Sequence, residues 1–450
     1  MLMEASGFRE LPSRSLPIDK RVISPVLSKN EKHGKNSSMK KTILRSVALS
    51  QALPFLAFLA INDSLASLPA PKVSWHKSYG GSGEESHPHY VIQAKDKGFL
   101  MVGETGFVED RSARILAVKT DRTGELLWKR EFGNRGHNLG NCVSEAPDGN
   151  YLIAGSLNLD AALIKVDAST GKTIWSRTWN LGTEDAFEGL TVTPDGGILA
   201  TGYKNGLAEG TFLNWGKGVL LKTDSEGKEE WRRDLSAFTS SGYRIKASAD
   251  GYLLACHPKD EESDGRNLLK VDGEGRVLWA KTYNTVYWGF DTKPNGETLL
   301  AGHTRKSNLS KNWDAELTVV DSTGRTLWTK FFGQPRGYDG RWIHDEVWGA
   351  RSTPDGGWLV VAGTGDETRR YEKGGHPSGP SGQWKVYLIK TDAKGRLEWE
   401  GIYGSREEDW AGEDLCITAD GGALVANDCG AFGFTKISPF LQKGKNSKEE

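Results

Sequence analysis

The stretch KVDASTGKTIW at residues 165–175 returns in altered form five more times along the chain. Its relatives are KTDRTGELLW from Lys119, KTDSEGKEEW from Lys222, KVDGEGRVLW from Lys270, VVDSTGRTLW from Val319 and KTDAKGRLEW from Lys390. A seventh tryptophan, Trp75 in KVSWHKSYGG, stands without the preceding phrase. A phrase repeated in this way indicates a repeat architecture in which each unit is one supersecondary element.

A second element precedes each phrase: an Asp-Gly or Asn-Gly turn, or Asp-Lys-Gly in the first unit, followed by a short apolar run. PDGGILATG from Pro194 and PDGGWLVVAG from Pro354 are examples of the seven turns. Such pairs suit tight hairpins, because Gly and Asn tolerate positive φ angles. Each unit of roughly 45 to 70 residues then contains four strand-length stretches, named A to D here. The turn joins A to B, and the repeated phrase joins C to D.

This pattern predicts an all-β fold, a seven-bladed β-propeller with four-stranded blades. The last unit has only A, B and C strands, while the Trp75 segment is a D strand without a unit. Pairing the two would close the ring and cover two open sheet edges. We therefore predict one propeller domain over residues 67–439 and a polar tail at 440–450. The tryptophans expected to pack between adjacent blades are Trp75, Trp128, Trp175, Trp231, Trp279, Trp328 and Trp399.

The phrase Asp-x-x-(Thr)-Gly-x-x-x-Trp resembles the tryptophan-docking motif of PQQ-type propeller repeats. The wider pattern is similar to secreted bacterial propeller-repeat proteins, most of which have no assigned activity. The resemblance extends over all seven units and implies the propeller fold. Quinoprotein dehydrogenases of that superfamily have eight blades and a ring formed by adjacent cysteines, whereas this chain has seven units and no Cys-Cys pair. PQQ-dependent redox chemistry is thus the most remote function considered, and no cofactor is predicted.

The N-terminal region has the pattern of an exported protein. From Met39, three basic residues precede an apolar stretch, and Ser64-Leu65-Ala66 resembles a signal-peptidase site. The apolar stretch is too short to span a bilayer. These features predict a bacterial-type signal peptide at residues 39–66 and a secreted or periplasmic protein. Residues 1–38 are then either a mis-assigned upstream start or an unusually long n-region.

Charge argues against nucleic-acid and membrane partners, and the cysteine content argues against disulfide and zinc sites. The chain has 58 Lys and Arg against 59 Asp and Glu, without a long run of one sign. It therefore lacks the basic patch that nucleic acid or an anionic membrane requires. Its four cysteines lie in different segments without CxxC spacing, which argues against a disulfide framework or a zinc ribbon. We predict no metal site, no membrane span and a monomer.

The candidate site follows from where the units differ. The B–C and D–A loops vary in length and emerge on one side of a propeller, which we call the elaborated face. The residue seven positions before each turn should lie near the channel mouth on that face, since strand A lines the channel. These seven residues are His89, Asn141, Glu188, Tyr243, Trp288, Trp348 and Glu413. Their expected neighbours are Arg244, Trp342, His344, Asp185 and Asp409.

Aromatic rings together with carboxylates and amides favour a sugar or other polar organic ligand, because rings stack on apolar faces and polar groups hold hydroxyls. The leading hypothesis is a secreted binding or interaction module with a glycan or protein partner on the elaborated face. The alternative is a propeller enzyme that cleaves glycosides, in which Glu188 and Glu413 would act as the two carboxyl groups. The structural alternative is that the aromatic residues plug the channel. The sequence contains none of the common catalytic motifs and assigns no catalytic residue.

Overall fold

The computed structural model describes residues 68–108, 110–206, 216–257, 266–283, 286–304, 307, 313–333, 344–365, 384–405 and 408–441. The segments predicted as an upstream extension, residues 1–38, and as a signal peptide, residues 39–66, lie outside these residues. The described part of the chain contains strands, turns and loops but no helix. It therefore also contains no helix that could cross a membrane.

In the described part of the chain, twenty-eight strands form seven four-stranded antiparallel sheets, which confirms the predicted seven-bladed β-propeller. Blades 1 to 3 contain β2 (Ser86–Gln93), β3 (Phe99–Thr105), β4 (Ala113–Thr120), β5 (Leu126–Gly136), β6 (Leu139–Glu145), β7 (Tyr151–Leu157), β8 (Asp160–Val166), β9 (Thr173–Trp179), β10 (Ala186–Val192), β11 (Ile198–Lys204), β12 (Lys217–Thr223) and β13 (Glu229–Asp234). Blades 4 to 6 contain β14 (Gly242–Ser248), β15 (Gly251–Cys256), β16 (Arg266–Val271), β17 (Val277–Tyr283), β18 (Val286–Thr292), β19 (Thr298–Thr304), β20 (Asp314–Val320), β21 (Thr326–Phe332), β22 (His344–Ser352), β23 (Trp358–Gly365), β24 (Lys385–Thr391) and β25 (Leu397–Tyr403). Blade 7 contains β26 (Ala411–Ile417), β27 (Ala423–Asp428), β28 (Phe432–Ile437) and β1 (Val73–Tyr79).

The N-terminal strand completes the last blade. Strand β1 pairs antiparallel with β28, from Val73 opposite Ile437 to Tyr79 opposite Phe432. The innermost strands β2, β6, β10, β14, β18, β22 and β26 follow one another around the centre, and β26 contacts β2 again. The pairing leaves no open edge on β28, as a closed radial fold requires.

The second and third strands of each blade are the most buried, because each blade packs on two neighbours. Every residue of β3 is buried, and so is every residue of β20. The outer strands alternate or face solvent, as β9 shows with one buried residue, Trp175, among its seven. The core is thus a series of apolar layers between successive sheets.

Each repeated tryptophan before the last contacts a glycine in the C–D turn of the next blade. Gly124, for example, has a φ of 82°, and a Cβ added there would lie 2.6 Å from the Trp75 ring. The ring and the backbone angle both require glycine at this turn. The equivalent pairs are Trp128 with Gly171, Trp175 with Gly227, Trp231 with Gly275, Trp279 with Gly324 and Trp328 with Gly395. Blade 7 has no C–D turn, and Trp399 contacts Phe440 there instead, at 5.1 Å between ring centroids.

A buried lysine links the C strand to the A–B turn in six blades. In blade 1, Lys119 Nζ lies 2.7 Å from the carboxylate of Asp96. The corresponding pairs are Lys165 with Asp148, Lys222 with Asp195, Lys270 with Asp250, Lys390 with Asp355 and Lys436 with Asp420. Blade 5 has Val319 and Asn295 at these two positions, so both partners are replaced together. The lysine of the K-x-D pattern and the aspartate of the A–B turn therefore form one ion pair in each of these six blades.

Candidate functional site

All seven candidate residues occupy β-bulges of the innermost strands. In blade 1 the pairing passes from Pro88 opposite Gly103 to Tyr90 opposite Val102, which leaves His89 as the extra residue. The other six extra residues are Asn141, Glu188, Tyr243, Trp288, Trp348 and Glu413. A bulge interrupts the alternation of a strand and redirects one side chain. The seven bulges recur at one level of the inner strands, so we call these residues the bulge ring.

The bulge ring divides into two arcs by blade. Blades 7, 1, 2 and 3 contribute the polar arc, which consists of Glu413, His89, Asn141 and Glu188. Blades 4, 5 and 6 contribute the aromatic arc, which consists of Tyr243, Trp288 and Trp348. A ring with one polar and one aromatic side can hold a ligand that has both hydroxyl groups and an apolar face.

The polar arc is connected through His89. Its Nδ1 lies 3.2 Å from Oδ1 of Asn141, and its Nε2 lies 3.0 Å from the Glu104 carboxylate. Asn141 in turn donates from Nδ2 to the carbonyl oxygen of Phe187 at 3.2 Å. Burial lowers the pKa of His89, but the charge and hydrogen bond of Glu104 outweigh it and raise the pKa overall. Both ring nitrogens face oxygen atoms, which suits the protonated imidazole.

The two carboxyl groups of the polar arc are unusually weak acids. Loss of solvent around Glu413 raises its pKa to about 8, with a further contribution from Asp428, while His89 and His87 oppose the rise. Burial also raises the pKa of Glu188, against the opposing charge of Arg244. At neutral pH, Glu413 is therefore protonated and can donate a hydrogen bond.

The histidines at positions 87 and 89 have separate partners. His87 Nδ1 lies 2.7 Å from the Asp428 carboxylate, which raises the pKa of His87 to about 9 although burial lowers it. His89 faces Glu104 and Asn141 instead. Each imidazole thus has its own carboxylate partner.

The rings of the aromatic arc contact one another. Trp288 lies edge-on to Tyr243 at 5.1 Å and tilted against Trp348 at 5.0 Å between centroids. Trp288 is only 4% exposed. Tyr243 has the Arg244 guanidinium 4.0 Å from its centroid and the His257 ring stacked at 4.9 Å. The three rings therefore pack on one another, and Trp348 is the half-buried tryptophan of the arc.

A second layer closes the channel beneath the bulge ring. Tyr90 of blade 1 lies with its ring centroid 5.1 Å from the guanidinium carbon of Arg244, in blade 4. It lies at the same distance from the guanidinium carbon of Arg351, in blade 6. Blades 1 and 4 stand on opposite sides of a seven-membered ring, so these contacts cross the channel. The residue that obstructs the channel is thus Tyr90, one position after a bulge, which the sequence did not single out.

The expected neighbours of the ring have different roles. Arg244 donates to the carbonyl oxygen of Glu188 at 2.9 Å and so lies directly beside the ring. Asp185 accepts hydrogen bonds from the backbone N–H groups of Leu181 and Asn205, which is a loop-capping role. His344 Nδ1 lies 3.3 Å from Glu346, and Asp409 accepts from the backbone N–H of Trp384. Trp342 lies outside the described residues.

A further concavity lies on the opposite face, between the A–B turns of blades 4 and 5. Its volume is about 640 Å³, and its lining includes Ser248, Lys270 and Lys293. Lys270 already pairs with Asp250, and Lys293 lies 3.0 Å from Glu297. Both lysines thus already have a carboxylate partner.

The sequence matches the family described as outer membrane protein assembly factor BamB, over residues 111–282 and 160–339. The two matches together extend over residues 111–339, about half of the chain. The chain belongs to this family. The BamB-family match begins two residues before the third strand of blade 1 and ends after blade 5, the region in which the docking tryptophans follow one another. The matching family model is one of PQQ-like repeats, so the predicted resemblance to such repeats is confirmed.

No curated protein matches this member of the BamB family. Solved propellers are similar at low identity. A streptogramin B lyase has 11% identity and a TM-score of 0.49, with 81% of this chain and 98% of that chain covered. Drosophila Plexin A in complex with Semaphorin 1b has 9% identity and a TM-score of 0.48, covering 82% and 87%. The quinohemoprotein alcohol dehydrogenase from Comamonas testosteroni has 13% identity and a TM-score of 0.41, covering 79% and 66%.

These three proteins are a lyase, Plexin A in complex with Semaphorin 1b, and a dehydrogenase, so they indicate no shared activity. Their similarity to this chain carries no argument about its ligand. Any functional assignment must come from the bulge ring itself.

Proposed function

We propose that this BamB-family propeller is a binding module that holds a sugar or another small polar organic ligand at the bulge ring. The observation that supports it is the set of seven inner-strand bulges, which turns one residue per blade into a ring with a polar and an aromatic arc. A scaffold alone does not need His, Asn and Glu at bulges that face a channel. Positions where repeats diverge are free to serve a ligand.

The chemistry of the two arcs suits such a ligand. Protonated Glu413 and Asn141 can donate hydrogen bonds to hydroxyl groups, and Glu188 can accept them. Trp348 offers the indole for stacking against the apolar face of a sugar ring. The aromatic arc behind it, Trp288 and Tyr243, would hold Trp348 in place through ring contacts.

The experiment is a screen of the purified protein against soluble glycans, followed through intrinsic tryptophan fluorescence and confirmed by calorimetry. Trp348→Ala and Glu413→Gln should each lower affinity at least tenfold without lowering the melting temperature. Trp179→Ala is the matched control, because Trp179 is a half-buried tryptophan on an outer strand that donates to Glu229. Equal losses in Trp348→Ala and Trp179→Ala would contradict a site at the bulge ring.

The alternative is a propeller enzyme that cleaves glycosides, and the raised pKa of Glu413 is the observation that favours it. A protonated carboxyl at neutral pH is the group that gives its proton to a leaving glycosidic oxygen. Such an enzyme also needs an ionised carboxylate, and burial raises the pKa of Glu188 too. If the wild-type protein releases new reducing ends from a bound glycan and Glu413→Gln does not, the protein is a glycoside-cleaving enzyme. If the glycan binds without such release, the proposal of a binding module stands.

If no glycan binds, we propose instead a protein-interaction scaffold that uses the elaborated face. The longest sequence segments between strands on that face, residues 334–343 and 366–383, lie outside the described residues. We also propose that the protein acts outside the cytoplasm, which rests on the signal-peptide pattern of residues 39–66. Cell fractionation of the tagged full chain, with removal of residues 39–66 as the comparison, tests this localisation.

A further inference from the structure

The layer beneath the bulge ring is charged, and its charges do not balance. We call it the channel floor. It consists of Tyr90, Arg244, Lys246, Asp291, Arg351 and Asp414, which stand one or three positions after the bulges. Three cations thus face two carboxylates within this layer, so one cation has no carboxylate of the layer as its partner. The charge of Arg244 also acts on the Glu188 carboxyl of the bulge ring above it.

Two of the three cations have carboxylate partners. Arg351 Nη2 lies 2.9 Å from Asp414, whose carboxylate also accepts from the backbone N–H of Val91 at 3.1 Å. Lys246 Nζ lies 3.3 Å from Asp291. Both carboxylates are buried, so each pair is held in an environment where a lone charge would be unfavourable.

Arg244 is bonded differently. Its Nη1 donates to the carbonyl oxygens of Glu188 at 2.9 Å and of Tyr243 at 3.3 Å, and its Nη2 donates to Tyr243 Oη at 3.1 Å. All three acceptors are neutral oxygens. A guanidinium has five N–H donors, so two remain without a protein acceptor among the described residues. Within that part of the chain no carboxylate lies within hydrogen-bonding distance of Arg244.

The position of Arg244 connects the floor to the proposed site. All three of its acceptors belong to the bulge residues Glu188 and Tyr243, so the guanidinium lies directly under the ring, between blades 3 and 4. Tyr90 closes the channel on its other side, with its ring centroid 5.1 Å from the guanidinium carbon. A ligand that enters the bulge ring from the elaborated face would meet Arg244 beneath the ring.

We propose that the ligand of the bulge ring is acidic, a saccharide bearing a carboxylate, and that this carboxylate binds Arg244. The inference rests on the proposed function and specifies its ligand class. A carboxylate matches the planar donor fork of a guanidinium and supplies the missing negative charge. It would bind by charge-assisted hydrogen bonds while the sugar ring contacts Trp348.

The test compares trigalacturonate with its methyl ester, which has the same sugar rings without the charges. The wild-type protein should bind the acid roughly ten- to hundredfold more tightly than the ester. Arg244→Gln should abolish this preference and retain ester binding. Arg233→Gln is the matched control, since Arg233 also lies over an aromatic ring, 4.6 Å from the Trp231 centroid, but on an outer strand.

Two further measurements keep the test decisive if Arg244→Gln does not fold. Arg244→Lys keeps the charge and should keep part of the preference. In the wild type, raising NaCl from roughly 50 to 500 mM should weaken binding of the acid and leave binding of the ester unchanged.

The outcomes separate this inference from the proposed function. Equal binding of acid and ester by the wild type would overturn the acidic ligand and leave the sugar site standing. Binding of succinate that depends on Arg244, without binding of either saccharide, would overturn the sugar site and support the anion contact. Absence of all binding would overturn both.

Discussion

The ammonium group of Lys119 lies 2.7 Å from the carboxylate of Asp96, and this pair joins the third strand of blade 1 to its A–B turn. The Lys119 side chain is 1% exposed, whereas that of Asp96 is 53% exposed. A lysine buried to this degree needs its partner to offset the loss of hydration. Blade 5 avoids the need with Val319 and Asn295, so the chain itself contains the uncharged version of the pair.

Asp96→Asn should therefore destabilise the protein by about 1 to 3 kcal/mol, because Lys119 keeps only neutral oxygen acceptors among the described residues, such as the carbonyl oxygen of Thr120 at 3.0 Å. The double variant Asp96→Asn with Lys119→Val copies blade 5 and should recover part of the loss. Urea denaturation of the four proteins of this double-mutant cycle measures the coupling. Asn295→Asp in blade 5 is the control and should change little, and strictly additive effects in blade 1 would contradict the pairing.

Trp175→Ala should cost about 3 to 5 kcal/mol, since it empties the space between blade 2 and Gly227 of blade 3. The adjacent Ile174 is 48% exposed on the same strand, so Ile174→Ala should stay within about 0.5 kcal/mol of the wild type. Thermal and urea unfolding of the two variants give the comparison. Similar losses at both positions would show that the tryptophan does not anchor the blades.

Deletion of residues 68–80 removes β1 and exposes the edge of β28, whose six residues are all buried. We expect a large loss of stability and association through the open edge. Analytical ultracentrifugation and a melting curve of the deletion variant are the measurements. A variant that stays monomeric with an unchanged melting temperature would show that β1 is dispensable for closure.

Glu413 should make stability depend on pH between its ordinary pKa of 4.5 and its folded value of about 8. In this range the folded state holds a proton that the unfolded state has released. The stabilisation is therefore complete below pH 4.5, and the free energy of unfolding decreases as pH rises to 8. The maximal slope is about 1.4 kcal/mol per pH unit. The groups that face Glu413 are His89, His87, Asp428 and Glu346.

Glu413→Gln is neutral at every pH and should remove this slope, so the variant should be more stable than the wild type at pH 8 and similar at pH 4.5. Urea denaturation at half-unit pH intervals measures it. Glu131→Gln on an outer strand is the control for a general charge effect. Parallel pH profiles of wild type and Glu413→Gln would show that Glu413 ionises normally in the folded protein.

The fold could be predicted from the sequence because every unit repeats the same short motifs. The D-G turn, the apolar run and the Trp phrase recur with little change, so seven weak signals add up to one strong one. The orphan Trp75 strand and the incomplete last unit also predicted the closure that β1 and β28 make. The Lys–Asp pair could have been found as well, because Val319 and Asn295 depart from the pattern in the same blade.

The candidate site was accessible only in part. Counting back from each turn identifies seven equivalent positions, but it cannot show that each is a bulge, since a bulge depends on how the neighbouring strand pairs. Nor can it show that Trp288 is buried among its neighbours or that Tyr90 reaches Arg244 and Arg351. Those contacts join blades that are far apart in the chain.

The repeat pattern was thus sufficient to predict the number of blades, the positions of the repeated tryptophans and the closing strand, because each depends on residues close together in a unit or on the two chain ends. Only the folded ring shows which side chains meet inside the channel, which carboxyls lose their solvent, and which cation has no hydrogen-bonded carboxylate. These properties arise from packing seven different inner strands around one axis. No local pattern specifies the distance across that axis, and the excess charge at Arg244 exists only once the ring has closed.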